Sequence, residues 1–189
     1  MEKQGFTVFQ LLLSEGTAEF NLFAYITKNK FSEEFESIDT KFSNKVEIIA
    51  KGEQIVSQGK LGGVSDIKHF RSKHNLIKSE YKNQPLFYFI DMDVDDSSEI
   101  GELILRDGHI VQFIEYNTEY MLLSLDGKNP RTPTDFANLK AFRDYCKSEF
   151  VNEYGKCAHK FKDSDFEKIF KKCSDEEIRA SFPELFSFN

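Results

Sequence analysis

Tryptophan is absent from the 189 residues, and proline (4) and cysteine (3) are scarce. Cys146, Cys157 and Cys173 are odd in number, lack CxxC spacing and lie among lysines, which excludes a disulfide framework and a compact zinc site and points to a reducing compartment. No apolar run approaches the roughly 18 residues of a membrane-spanning helix. The one apolar stretch near the start, residues 6–13, is broken by Thr7 and Gln10 and lacks a small-x-small cleavage site. The expectation is a soluble, cytoplasmic protein with no membrane partner. Positive charge is also in short supply, with 25 Lys and Arg against 32 Asp and Glu and a net charge of -7. A uniformly basic face for polyanions is thereby excluded, so any nucleic-acid contact must be local, metal-assisted or shared with a partner.

What the chain does have is Phe: 20 Phe and 7 Tyr within 40% hydrophobic residues, enough for one well-filled core in one structural domain. Residues 6–13 read as a strand buried on both faces. The strand stops at Ser14-Glu15-Gly16, and Thr17 can cap a helix running to Lys30. Residues 46–50 read as a second strand, and Gly52, Gly59, Gly62 and Gly63 punctuate the next loop. A helix follows from Ser65 to about Lys82, and then the strongest strand, Leu86-Phe87-Tyr88-Phe89-Ile90, ending in Asp91. A short helix over 98–105, a turn at Asp107-Gly108 and a strand over 109–114 complete the alternation. The remainder reads as helices over 119–125, 134–151 and 165–173, with Pro183 breaking the tail. The expected fold is α/β, with about four mainly parallel strands flanked by helices. Residues 1–130 form the core, and residues 131–189 form a helical extension packed on it.

Functional groups in open parallel sheets gather at the carboxyl ends of strands, and two strands here end in acids, Glu15 and Asp91. Asp91, Asp93, Asp95, Asp96 and Glu99 put five carboxylates directly after a buried strand, where they repel one another unless cations intervene. Carboxylates alone suit Mg²⁺ or Mn²⁺, hard cations that bridge to phosphate oxygens, so the expected substrate is a phosphate ester. Glu19, four residues after Glu15, can join them from the first helical turn, or can simply favour the helix dipole.

The segments Leu12-Leu13-Ser14-Glu15-Gly16 and Phe89-Ile90-Asp91-Met92-Asp93 resemble the strand-Glu-Gly and strand-Asp-x-Asp motifs of the Toprim domain. Within it the chain is most similar to the compact nuclease group that includes the OLD nucleases, the RloB-like proteins and the AriB-like effectors of phage defence. Tyr116-Asn117-Thr118-Glu119 followed by apolar residues resembles that group's Asn-x-x-Glu segment. The resemblance implies a metal-dependent nuclease acting on DNA or RNA. Glu15, Asp91 and Asp93 would hold the metal, and Glu19, Asp95 and Glu119 would be outer or second-metal ligands. Lys160, with Lys156 as its substitute, would neutralise charge on the phosphate. It also implies a toxic antiviral effector controlled by an ABC-type or AAA-type ATPase, a separate chain because no GxxxxGK[ST] occurs here, or held in check by self-association.

Three other readings stand beside this one. Asp91, Asp93, Asp95 and Glu102 match EF-hand positions, but Asp96 replaces the turn glycine and a strand precedes them. Asp91-x-Asp93 is also the nucleophile pattern of haloacid-dehalogenase-type phosphatases, with Asp95 where those enzymes carry Thr or Val. The third is a catalytically silent Toprim binding subunit of an ATPase complex. The most basic stretch, from Lys60 to Lys82, holds six Lys or Arg against Asp66 and Glu80 and is the expected route to phosphates, or else a solvated helix face. His69, His74, His109 and His159 show no ligand spacing.

Overall fold

The computed structural model describes residues 11–34, 48–50, 53–56, 61, 66–80 and 86–187. Three strands, β1 (Leu11–Ser14), β4 (Leu86–Asp91) and β5 (Ile110–Ile114), form a parallel sheet in the order β1-β4-β5. Ser14 lies opposite Phe89, and Asp91 opposite Ile114, so all three carboxyl ends meet at one edge. Two backbone bonds extend the ladder there, Glu15 N–H to Phe89 O (3.0 Å) and Met92 N–H to Ile114 O (3.2 Å).

Among the described residues the sheet has three strands, where about four were expected. The segment expected as its second strand contributes β2 (Ile48–Ala50), which pairs antiparallel with β3 (Glu53–Val56) in a separate two-stranded sheet. Only two residues separate β2 from β3, and so short a link reverses the chain, whereas parallel pairing needs a crossover of a dozen residues or more. Of the anticipated first two strands, residues 6–10 and 46–47 lie outside the described residues, as do the loop glycines 52, 59, 62 and 63.

β4 is the centre of the molecule and its side chains alternate between two cores. Phe87 and Phe89 face α1 (Thr17–Tyr25), where Phe23 meets them at ring-centroid distances of 5.9 and 5.1 Å. Tyr88 and Ile90 face α2 (Ile67–Glu80) and α3 (Ser97–Arg106), with Phe70, Ile77 and Ile104. Each such buried aromatic or aliphatic side chain contributes about 1.5–3 kcal/mol. In α3, Gly101 lies flat against the Phe113 ring; a Cβ there would meet the ring at 2.6 Å.

The C-terminal helices join the first of these cores. They are α4 (Thr118–Leu125), α5 (Leu139–Tyr154), α6 (Asp163–Phe170), α7 (Asp175–Ser181) and α8 (Pro183–Phe186). Phe150, Phe161, Phe166, Phe170 and Phe182 are buried against α1 and the sheet, so much of the Phe surplus is the seam of the extension. Several sequence boundaries move. α1 ends at Tyr25 and continues as a π-helical turn to Lys30, with Gly16, not Thr17, at its N-cap. α5 begins after Asn138, whose side chain accepts from Ala141 N–H (2.9 Å), because the chain around Pro133 forms a 3₁₀ turn. Pro183 does break the tail: α7 ends at Ser181 and α8 opens on Pro183, a turn pinned by buried Gln112, whose Oε1 accepts from Glu184 N–H (2.9 Å) and Leu185 N–H (3.1 Å).

At the amino end of the sheet a polar network crosses the second core. Fully buried His74 meets the Tyr88 hydroxyl (2.6 Å) and Asp107 Oδ2 (2.9 Å), and Lys78 Nζ donates to the same Asp107 oxygen (2.6 Å). Lys78 above all, then His74, hold the Asp107 carboxyl down at about 2, whereas burial pushes the His74 imidazole below its ordinary value. Both shifts act in one direction. The unfolded chain takes up protons first on the histidine below about pH 6.5 and then on the carboxyl below about pH 4. The contribution of this network to folding stability therefore falls as pH drops through both windows, by up to about 2 kcal/mol for Asp107. Urea unfolding of wild type and Asp107→Asn from pH 7 to pH 3 should show this as a difference, the stability gap between the two narrowing below pH 4.

Candidate functional site

The acids sit where the strands end. Glu15 follows β1, Asp91 ends β4, Asp93 lies in the next turn, Glu19 is in the first turn of α1 and Glu119 in the first turn of α4 after β5. Glu15 Oε2 accepts from Asp91 N–H (3.2 Å). The Thr118 hydroxyl, itself fully buried, lies 2.8 Å from Glu19 Oε1 and 3.2 Å from Asp91 Oδ1, so a single hydroxyl links the two carboxylates. Glu19 and Asp93 are only 6% and 7% exposed, unusual burial for acids.

Gly16 explains the Glu-Gly pair. Its φ of -144° is ordinary extended backbone, and a Cβ at this position would lie 2.8 Å from Glu19 Oε2, so a larger residue would push that carboxylate aside. The backbone N–H groups of Gly16 and of Glu19 itself bond to the Glu19 carboxylate. The short turn thus delivers Glu19 back over the strand end. On the far side Tyr116 adopts φ 59°, a costly conformation for an aromatic residue, and Asn117 caps α4 by accepting from Tyr120 N–H (2.9 Å). This bend sets Thr118 and Glu119 toward the other acids.

The electrostatics follow from this crowding. Desolvation, then Glu19, Glu15, Asp93 and Glu119, push the Asp91 carboxyl well above the usual carboxylate range. Burial also raises Glu19, against the opposing bonds from Thr118 and the backbone. Burial raises Asp93, against Arg143 and Lys147, and raises Glu119, helped by Glu19 and opposed by Lys147. Five carboxylates from three segments thus share one poorly solvated volume.

The expected acids divide. Glu15, Glu19, Asp91, Asp93 and Glu119 are brought together, whereas Asp95 is exposed on the loop before α3. Lys160 is exposed at the end of a 3₁₀ turn, Ala158–Lys160, which Asn21 of α1 ties down through the His159 and Phe161 carbonyls (3.4 Å each). Lys156 is committed to Asp165 at 2.6 Å. Two cations on the carboxylates come instead from α5. Arg143 Nη1 stands 3.6 Å from Asp93 Oδ1, and Lys147, one turn on, acts on Asp93 and Glu119. A third, Lys73 of α2, lies in the field of Glu15 and donates to the Leu61 carbonyl.

Sequence reasoning missed Thr118, Arg143, Lys147 and Lys73 in these roles. The available signal for Arg143 was a charge placed with Phe142 and Cys146 on the apolar face of α5. The basic stretch does not act as one surface. Lys68, His69 and Arg71 are exposed, but Lys73 turns to the acid site and Lys78 to Asp107, and Lys60 and Lys82 lie outside the described residues.

The donor set suits a hard divalent cation: all oxygen, strongly acidic in total charge and fed by three strand ends. As the side chains stand, no three of the described Asp, Glu, His or Cys groups close around a common point. Internal partners engage several of them: the Asp91 N–H on Glu15, Thr118 on Glu19 and Asp91, and Arg143 on Asp93.

Fold and site together define an α/β protein with a three-stranded parallel sheet flanked by helices and a carboxylate cluster at the carboxyl ends of its strands. No protein-family model, curated protein or solved structure matches the chain. Among the described residues no helix is long and apolar enough to cross a membrane.

Proposed function

We propose that the chain is a Toprim-like, Mg²⁺- or Mn²⁺-dependent nuclease that hydrolyses phosphodiester bonds in DNA or RNA. We place it as the effector of a bacterial anti-phage system, restrained by a partner ATPase or by self-association. One observation carries the chemistry: Asp91 emerges from the buried central strand into a pocket of charge made by Glu15, Glu19, Asp93 and Glu119. A divalent ion bound by Glu15, Asp91 and Asp93 would polarise the phosphate and lower the pKa of a bound water.

The chain's own residues supply the rest. Thr118 orients the Asp91 and Glu19 carboxylates through its shared hydroxyl, and Gly16 keeps the Glu19 carboxylate over the strand end. Exposed Lys147 acts through its charge on Glu119 and Asp93, and the same charge would favour negative charge that grows on a phosphate during displacement. The Arg143 to Asp93 ion pair favours a second reading, in which the subunit is catalytically silent and serves an ATPase complex by binding alone.

Incubating the purified protein with end-labelled DNA and RNA in Mg²⁺, Mn²⁺ or EDTA, with and without any ATPase that co-purifies with it, separates the two. Metal-dependent products that EDTA abolishes are expected. Their absence in every condition would favour the silent subunit.

A further inference from the structure

We infer that Arg143 is an exchangeable counter-ion: in the metal-free protein its guanidinium holds Asp93, and a divalent cation must displace it to bind. The inference rests on the metal-site reading above and concerns how that site is regulated.

Three observations lead to it. Asp93 touches a cation directly: Arg143 Nη1 lies 3.6 Å from Oδ1, and the Asp93 side chain is 9% exposed. Arg143 itself is 31% exposed at the side chain, so the guanidinium has a route to solvent that Asp93 lacks. Glu15, Glu19 and Asp91 accept from neutral donors, the Asp91 N–H and the Thr118 hydroxyl, which can keep their bonds while an oxygen's remaining lone pairs turn to a metal. A guanidinium cannot share in that way. It competes for the same oxygen and repels a doubly charged ion at close range.

The latch has a structural logic. Arg143 sits on α5, in the extension, whereas Asp93 belongs to the strand-end turn of the core. Its neighbours on α5 differ: Lys147 acts on the same acids one turn on, and Lys140 is exposed and paired with Asp144 at 3.6 Å. Charge on α5 is therefore local in its effect, and anything that moves α5 relative to the turn after β4 shifts the competition at Asp93. In the metal-free state the ion pair compensates part of the repulsion in the cluster, and metal entry replaces one compensation with another.

Calorimetric titration of the full-length protein with Mn²⁺ tests this without reference to activity. Arg143→Gln should bind Mn²⁺ at least about threefold more tightly than wild type and gain more melting temperature on Mn²⁺ addition, because nothing has to be displaced. Arg143→Met, which keeps most of the aliphatic stem, should behave likewise if Gln is poorly tolerated. Lys140→Gln removes equal charge from the same helix and should leave the affinity unchanged. Wild-type protein that binds no Mn²⁺ would overturn the metal-site reading and the latch with it. Wild-type binding, with Arg143→Gln and Arg143→Met equal to it or weaker, would overturn the latch alone, as would a gain of the same size in Lys140→Gln.

Discussion

Asp91→Asn is expected to lower metal-dependent cleavage by at least ~10³-fold and, in the same protein without metal, to raise the melting temperature by about 2–6 °C. The two effects have one origin. Burial and the charges of Glu19, Glu15, Asp93 and Glu119 hold the Asp91 carboxyl well above its ordinary range. A carboxyl whose folded-state pKa is raised destabilises the fold at every pH above its unfolded value, because ionisation is easier in the unfolded chain. Asn removes the charge and keeps an oxygen for the Thr118 hydroxyl, which lies 3.2 Å away in the wild type. In the proposed metal site the same substitution would deprive a divalent ion of its central anionic ligand.

Cleavage assays and thermal melts on one preparation read both effects. Activity within tenfold of wild type would remove Asp91 from the chemistry. A lowered melting temperature would mean that the carboxylate is held by structure rather than strained by repulsion. Asp95→Asn is the control: Asp95 is exposed, so neither quantity should move appreciably.

This opposition of stability and function explains why the acids were legible in the sequence and the cations were not. Carboxylates directly after a continuous apolar strand are anomalous on local grounds, since the strand is buried and its continuation must emerge at the sheet edge. Glu15 and Asp91 stood out for that reason, and the parallel pairing of β1 with β4 brings them within one hydrogen bond. Arg143 shares the apolar face of α5 with Phe142 and Cys146, but Lys147 and Lys73 lie on helices rich in charge, where nothing local distinguishes a cation turned toward an acid from one turned to water. Their role is created by how α5 and α2 pack.

The fold was legible where one periodicity dominated. β4 was unmistakable as a strand, although its alternation between two cores was hidden, because both faces are apolar. The β2-β3 hairpin was read as a single sheet strand because its second half, Glu53-Gln54-Ile55-Val56, is too short and polar to stand out. Helix α7 was missed under its charge, yet Ser174 and Glu177 form a capping box that marks its start, with Ser174 N–H donating to Glu177 Oε2 at 2.8 Å. Lys30 and Arg179 then fasten α7 to the end of the π-helical turn, through Asp175 (2.9 Å) and Glu34. These are long-range pairs that no local pattern announces.

The lysine assignment is the sharpest separation of resemblance from geometry. Resemblance points to Lys160, which sits on a turn beyond α1, whereas Lys147, exposed like Lys160, lies in the electrostatic field of Asp93 and Glu119. Lys147→Ala should lower turnover by about 10²-fold with little change in KM, because a cation beside the carboxylates helps most as charge develops on the phosphate. Lys160→Ala should stay within about twofold in turnover, and any loss should appear in substrate affinity and fade as salt rises. Steady-state kinetics at two salt concentrations distinguish them. Lys147→Arg should recover part of the activity, since the charge returns without the same reach, and that recovery separates an electrostatic role from a merely structural one. If instead Lys160→Ala abolishes turnover while Lys147→Ala leaves it intact, the phosphate approaches from the side of α1 and its 3₁₀ turn, and the cations of α5 serve only to balance the acids in the resting protein.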